Sequence, residues 1–157
     1  MKLQIVTVGK LREAYFKAAA QEYSARIQHF LPLELTDVPT GTGESTNGQG
    51  KGALLKEADA IEKAIPTNSV LVALDITGKM LSSEQLSSWM QSQMQISSQR
   101  IAFVIGGAWG IAPKILERAD MRLSLSPMTF PHELAQVILL EQLYRALSLW
   151  KGLPYHK

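Results

Sequence analysis

The residues best suited to chemistry in this chain are three histidines and three short loops rich in glycine, serine and threonine. Tyr155-His156-Lys157 offers an aromatic plane, a base that titrates near neutral pH and a cation in consecutive positions. A chain end of this kind is also the place where fraying is commonest, so the triplet alone has both readings. His132 follows the turn Ser126-Pro127-Met128-Thr129-Phe130-Pro131 and opens a long apolar stretch. Its imidazole either caps that turn or lines a site, and the sequence leaves both open. His29 falls late in a helical stretch, where an imidazolium favours the helix dipole. The three are too scattered to form a metal site by spacing, and with no cysteine there is no thiolate ligand, thiol nucleophile or disulfide.

The loops follow three apolar segments: Leu74-Asp75-Ile76-Thr77-Gly78-Lys79, Ile105-Gly106-Gly107-Ala108-Trp109-Gly110 and Leu125-Ser126-Pro127-Met128-Thr129-Phe130. In open α/β sheets a ligand binds beyond the C-terminal ends of the strands. Glycine there lets the backbone come close to it. Each loop by itself is equally a tight strand-to-helix turn; the three together suit one flat, polar small molecule. Residues 106–110 do not match G-x-G-x-x-G. In the stretch 45–52, Ser45 replaces the first P-loop glycine and Gly52 the magnesium-binding hydroxyl. Neither H-E-x-x-H nor G-x-S-x-G occurs.

Positioning these loops requires alternating strands and helices. Lys2 to Val8 reads as a strand stopped by Gly9. Arg12 to Phe30 is an amphipathic helix with Phe16, Ala19, Tyr23, Ile27 and Phe30 at helical spacing. Leu33 to Val38 is a second strand. Thr40 to Gly52, with five glycines, reads as a mobile loop. Ala53 to Ile65 is a helix with Leu54, Ala58, Ile61 and Ile65 on one face. Ser69 to Ile76 is an unbroken apolar strand of the central parallel kind, ending in the turn Thr77-Gly78-Lys79. Ser82 and Gln85 form a capping-box pattern ahead of a helix that buries Leu86, Trp89 or Met90, and Met94. Ile101 to Ile105 is a strand, Pro113 to Ala119 a short helix with proline in its first turn, and Met121 to Leu125 the last strand. A helix of about eighteen residues then runs to Trp150, apolar on nearly every face. Its own chain can hardly surround it, so it reads as a dimer helix. The pattern predicts an α/β fold: a mostly parallel sheet with helices on both faces, in a single domain, 1–157.

With 46% hydrophobic and 19% charged residues the composition is that of a globular protein. No charge-free apolar run is long enough for a membrane span. The N-terminus is too short and β-like for a signal peptide, which predicts a cytoplasmic protein. A net charge of +2 is a weak pull toward anionic partners.

Several stretches together resemble the RlmH family, the ribosomal RNA large-subunit methyltransferases H of the SPOUT superfamily. They are Lys2 to Gly9, Leu74-Asp-x-x-Gly-Lys79, Ile105-Gly-Gly-x-x-Gly110, Leu123-Ser-Leu-Ser-x-Met-Thr-Phe-Pro-His132, Leu140-x-Glu-Gln-Leu-Tyr-Arg-Ala146 and Gly152-x-Pro-Tyr-His-Lys157. The match runs end to end, and Leu123 to Lys157 is its most specific part. The resemblance implies a homodimer with a C-terminal trefoil knot. It also implies methylation of N3 of a pseudouridine in 23S rRNA, with S-adenosylmethionine as donor and no metal. By the same resemblance Leu74, Gly106, Gly107, Gly110 and the turn Leu125, Ser126, Pro127, Met128, Thr129 and Phe130 hold the donor. Tyr155, His156, Lys157 and Arg145 meet the substrate, and His156, Tyr155 and His132 serve catalysis, with His156 of a partner's tail the favoured base. Ala108-Trp109 replaces the commoner Pro-Glu or Ser-Leu pair, and Trp109 narrows the cofactor mouth. Gln136 stands where many members carry arginine, so no arginine role passes to it. The slight positive charge and lack of an appended RNA-binding module predict recognition of an assembled ribosomal particle by shape. Two rivals are a non-catalytic rRNA-binding assembly factor of the same fold and a small-molecule α/β enzyme with a frayed tail.

Overall fold

The computed structural model describes residues 1–41, 51–96 and 100–156, with the side chain of His156 excepted. The expected loop from Thr40 to Gly52 lies mostly outside them, and so does Lys157.

Five strands make one sheet: β1 (Lys2–Val8), β2 (Leu33–Val38), β3 (Val70–Met80), β4 (Arg100–Ile105) and β5 (Met121–Ser124). Their order is β2-β1-β4-β3-β5, and every adjacent pair is parallel. The helices are α1 (Ala14–Gln28), α2 (Lys51–Ala64), α3 (Ser83–Gln95), α4 (Pro113–Arg118) and α5 (His132–Trp150), followed by a 3₁₀ turn, Pro154–His156. The α/β alternation with helices on both faces is as the sequence predicts.

The strands show why. Side chains alternate across a strand. In β1, Leu3 and Ile5 join the core shared with α1, α3 and α5, while Val6 and Val8 join the core shared with α2 and α4. β4 is buried on both faces from Ile101 to Ile105. Burial of each such side chain contributes roughly 1.5–3 kcal/mol. Phe103, fully buried at the middle of β4, is the largest of them.

Two elements depart from expectation. β3 does not stop at Ile76. Leu74 and Lys79 both stand opposite Leu123, so residues 75–78 bulge out and the strand then resumes to Met80. Turn-forming residues read in sequence as a strand end; here the neighbouring β5 supplies hydrogen-bond partners on the far side of the bulge. The second is α5. It packs between α1 and α3, which bury Ala135, Gln136, Leu139, Leu140, Leu143, Ala146 and Leu147. Its own chain thus covers most of this helix, contrary to the sequence reading. What remains is a half-buried stripe including Leu134, Val137, Ile138, Leu149 and Trp150. Gln136 is 2% exposed, and its amide oxygen accepts from the Thr7 hydroxyl at 3.4 Å. It is an internal residue, unavailable to RNA.

The capping box at α3 is complete. Ser82 Oγ accepts from the Gln85 N–H at 3.1 Å, and Gln85 Oε1 accepts from the Ser82 N–H at 2.8 Å. Met90 rather than Trp89 fills the core position, with Trp89 half-buried. No helix among the described residues is long and apolar enough to cross a membrane.

Candidate active site

Parallel strands put all their C-terminal ends on one edge, and that edge carries a cavity of about 880 Å³. Leu74 and the bulge after it form one wall. The β4 loop, residues 106–110, forms the second, and the turn after β5 the third. Of the ten residues that the family resemblance assigns to the donor, nine line the cavity: Leu74, Gly106, Gly107, Gly110, Leu125, Ser126, Met128, Thr129 and Phe130. Pro127 belongs to the same turn without lining it. His132 lines the cavity too, from the first turn of α5. Its Nε2 lies against the end of β1, 3.7 Å from where a β-carbon on Gly9 would sit.

Each wall is fixed locally. A β-carbon at Gly106 would lie 2.5 Å from the carbonyl oxygen of Gly110, so only glycine lets the loop fold back on itself here. The Gly110 N–H closes that loop on the Gly107 carbonyl at 3.0 Å. In the bulge, Asp75 accepts from the Thr77 N–H at 3.2 Å and from its hydroxyl at 2.9 Å, a side-chain turn. Ser124 ties two walls together. Buried at the end of β5, its hydroxyl lies 3.1 Å from both the Ile76 and the Ser126 carbonyl oxygens. Ser126 Oγ in turn accepts from the Met128 N–H at 3.0 Å. Outside the cavity, the Glu133 carboxylate accepts from the backbone N–H groups of Arg12 and Glu13 at the start of α1. The bond from Arg12 is the main cause that holds its pKa below the usual carboxylate range.

Sequence reasoning missed the contributions of Val8 and Thr40, which line the cavity from the ends of β1 and β2. The strand-end rule that found the other three loops was able to find them as well. Ile111 and Ala135 also line it, and no chemical signal marks an alanine or an isoleucine in sequence.

The structure places the C-terminal substrate residues elsewhere. α5 ends in a Schellman motif: the Leu153 N–H bonds to the Ser148 carbonyl at 2.9 Å and the Gly152 N–H to Leu149 at 3.0 Å. Gly152 has φ +69°, a left-handed turn that favours glycine. The tail therefore folds back over α5. The Tyr155 ring meets Tyr144 edge-on at 4.5 Å between centroids, and the Arg145 guanidinium sits 4.9 Å above the Tyr155 ring. Arg145 is ion-paired with Glu141, which also accepts from the Tyr155 hydroxyl at 3.3 Å. Desolvation, with help from Tyr23 and Glu141, pushes the Tyr155 phenol up to about 12. Its hydroxyl is a neutral hydrogen-bond donor, directed to Glu141. Tyr144 lies roughly 18 Å further along α5 than His132, at 1.5 Å per residue. One chain thus keeps His132 with the cavity and Tyr155 with Arg145 well away from it. The His156 side chain and Lys157 lie outside the described residues.

A parallel α/β sheet with a cleft built from three backbone-rich loops at its strand ends, and the last helix starting there, has the layout of a ligand-binding α/β protein. Residues 1–156 match the family described as predicted SPOUT methyltransferase. The chain is 42% identical to the ribosomal RNA large subunit methyltransferase H of Alkaliphilus oremlandii and 41% identical to that of Clostridium kluyveri. It is 36% identical to ribosomal RNA large subunit methyltransferase H 1 of Clostridium perfringens. In each case the match covers 100% of both chains. The chain belongs to the SPOUT methyltransferase family.

Proposed function

We propose that this protein is a cytoplasmic, homodimeric enzyme that transfers a methyl group from S-adenosylmethionine to N3 of a pseudouridine in 23S rRNA, within an assembled ribosomal particle. The observation that carries the reading is the cavity at the strand ends, lined by nine of the ten residues that the family resemblance assigns to the donor. Its volume lies in the range of small-molecule sites, and its glycine-closed loop offers backbone at close range. Both suit a nucleoside bearing an amino-acid arm. When bound, the donor supplies an electrophilic methyl on a sulfonium: the new N–C bond forms as the S–C bond breaks, and S-adenosylhomocysteine leaves.

This displacement calls for positioning and for removal of one proton, and no metal. Among the described residues no group of three histidines or carboxylates is placed to hold one. N3 must lose its proton as it attacks, and a base with a pKa near neutrality assists that loss. We assign that role to His156 in the partner's tail, with His132 beside the cavity as the other imidazole within the site. Tyr155 stacks on the substrate, Arg145 and Lys157 hold phosphate, and the half-buried stripe on α5 is the surface that a second copy covers. The separation of Tyr155 from the cavity of its own chain supports this arrangement, because a tail acting on a neighbouring site brings the two together. The trefoil knot implied by the family resemblance involves the same C-terminal stretch.

The test is methylation of 23S rRNA by the purified protein and labelled S-adenosylmethionine. Two substrates are compared: ribosomal particles lacking the modification and a naked transcript. A gain of one methyl at a pseudouridine, faster on particles, is the expected result. No mass change on either substrate refutes catalysis and leaves an rRNA-binding factor; equal rates refute recognition of the particle.

A further inference from the structure

We infer that Trp109 is a stacking platform for a nucleobase of the RNA substrate as it enters the cavity. This rests on the reading of the chain as an rRNA methyltransferase. Trp109 lines the cavity yet is 56% exposed, whereas Ile105 and Leu123 on the inner wall are 3% and 4% exposed. The indole therefore stands at the mouth, facing what comes from solvent, while a donor lodged among the inner walls lies behind it. Among the described residues no aromatic ring or cation packs on it. Its loop is already set by the Gly107–Gly110 bridge, so little ordering is needed on binding. Met128 and Ile76, also exposed and also lining the cavity, add two more apolar side chains to the mouth.

Such a mouth fits a base out of its helix. A base must leave its stack before chemistry can reach a ring atom, and proteins that take unpaired RNA bases hold them on aromatic faces. A planar, half-exposed indole is suited to that and carries no charge to hold a phosphate.

The experiment measures KM and kcat on unmodified ribosomal particles, donor affinity and self-association, for the wild type, Trp109→Ala and Trp109→Phe. In the alanine variant KM should rise on the order of tenfold, the loss of one base stack. Donor affinity and self-association should be unchanged, and phenylalanine should restore most of the effect. An unchanged KM in the alanine variant overturns the inference, as does a phenylalanine variant no better than alanine. A loss that follows weaker donor binding puts the ring on the cofactor instead, and one that follows dissociation puts it in an interface; either overturns the inference. A wild type that methylates no particle refutes the enzymatic reading beneath it.

Discussion

The two ends of α5 are built on different principles. At its N-terminal end the cavity is made of backbone: glycine loops, a strand bulge and a serine hydroxyl shared between two carbonyls. At its C-terminal end Tyr155, Tyr144, Arg145 and Glu141 form a cluster of large side chains held by ring contacts and ion pairing. Backbone loops fix a small ligand by shape, and few substitutions are tolerated in them. A side-chain cluster presents groups that have to meet a large, variable surface. The distance between the two ends shows that one chain does not bring Tyr155 and Arg145 to its own cavity.

The sharpest way to break this comparison is complementation between defective copies. At sub-saturating donor, Gly106→Ala homodimers and homodimers carrying both Tyr155→Ala and His156→Ala should be strongly impaired. Mixed dimers should recover activity, because one intact cavity then faces one intact tail. Inactive mixed dimers, with dimerisation verified, would show that tail and cavity act within one chain. Next in size is His156→Ala alone. Loss of a general base costs at least about 100-fold in kcat, while donor affinity measured by titration calorimetry should hold steady; full activity would sink that assignment. Gly106→Ala forces a β-carbon against the Gly110 carbonyl. An overpacking cost of about 1–3 kcal/mol should appear in urea unfolding, and donor affinity should fall because the displaced loop no longer matches the ligand. Equal affinity would mean that the loop relaxes freely. Ser124→Ala unties two walls and should lower stability by about 1–2 kcal/mol in urea unfolding.

The smallest effect concerns pH. Glu133 has a lowered folded pKa, caused chiefly by the Arg12 N–H. A depressed carboxylate stabilises the fold above its unfolded pKa, about 4.3, and this contribution is lost as pH falls through the lower folded value. The stability gap between wild type and Glu133→Gln should therefore be present at neutral pH and close on acidification. A gap independent of pH would show that the carboxylate is not the reason for it.

Strand positions were legible because unbroken apolar runs such as Ile101 to Ile105 have few other uses in a chain of this size. The cavity was legible at the glycine loops and the β5 turn, where residue types are unusual for their position. It was not legible at Ile111 and Ala135, ordinary apolar residues that line it only through the tertiary fold. The bulge in β3 was hidden for a related reason: residues 75–78 have the local chemistry of a turn, and only pairing with β5 carries the strand past them. The covering of α5 depended on two helices far from it in sequence, so its composition alone suggested more exposure than it has. The placing of Tyr155 away from the cavity turns on the left-handed Gly152, which in sequence marks only the helix end.

The contact between Glu133 and the start of α1 has one more consequence. Glu13, at the entrance to that helix, makes no side-chain cap of its own. The backbone groups there are satisfied by a carboxylate separated from Arg12 by 121 positions. During synthesis α1 therefore emerges without these two bonds, and they can form only once residue 133 has been made. The helix from His132 thus closes on α1 like a clasp, joining two elements that are far apart in sequence.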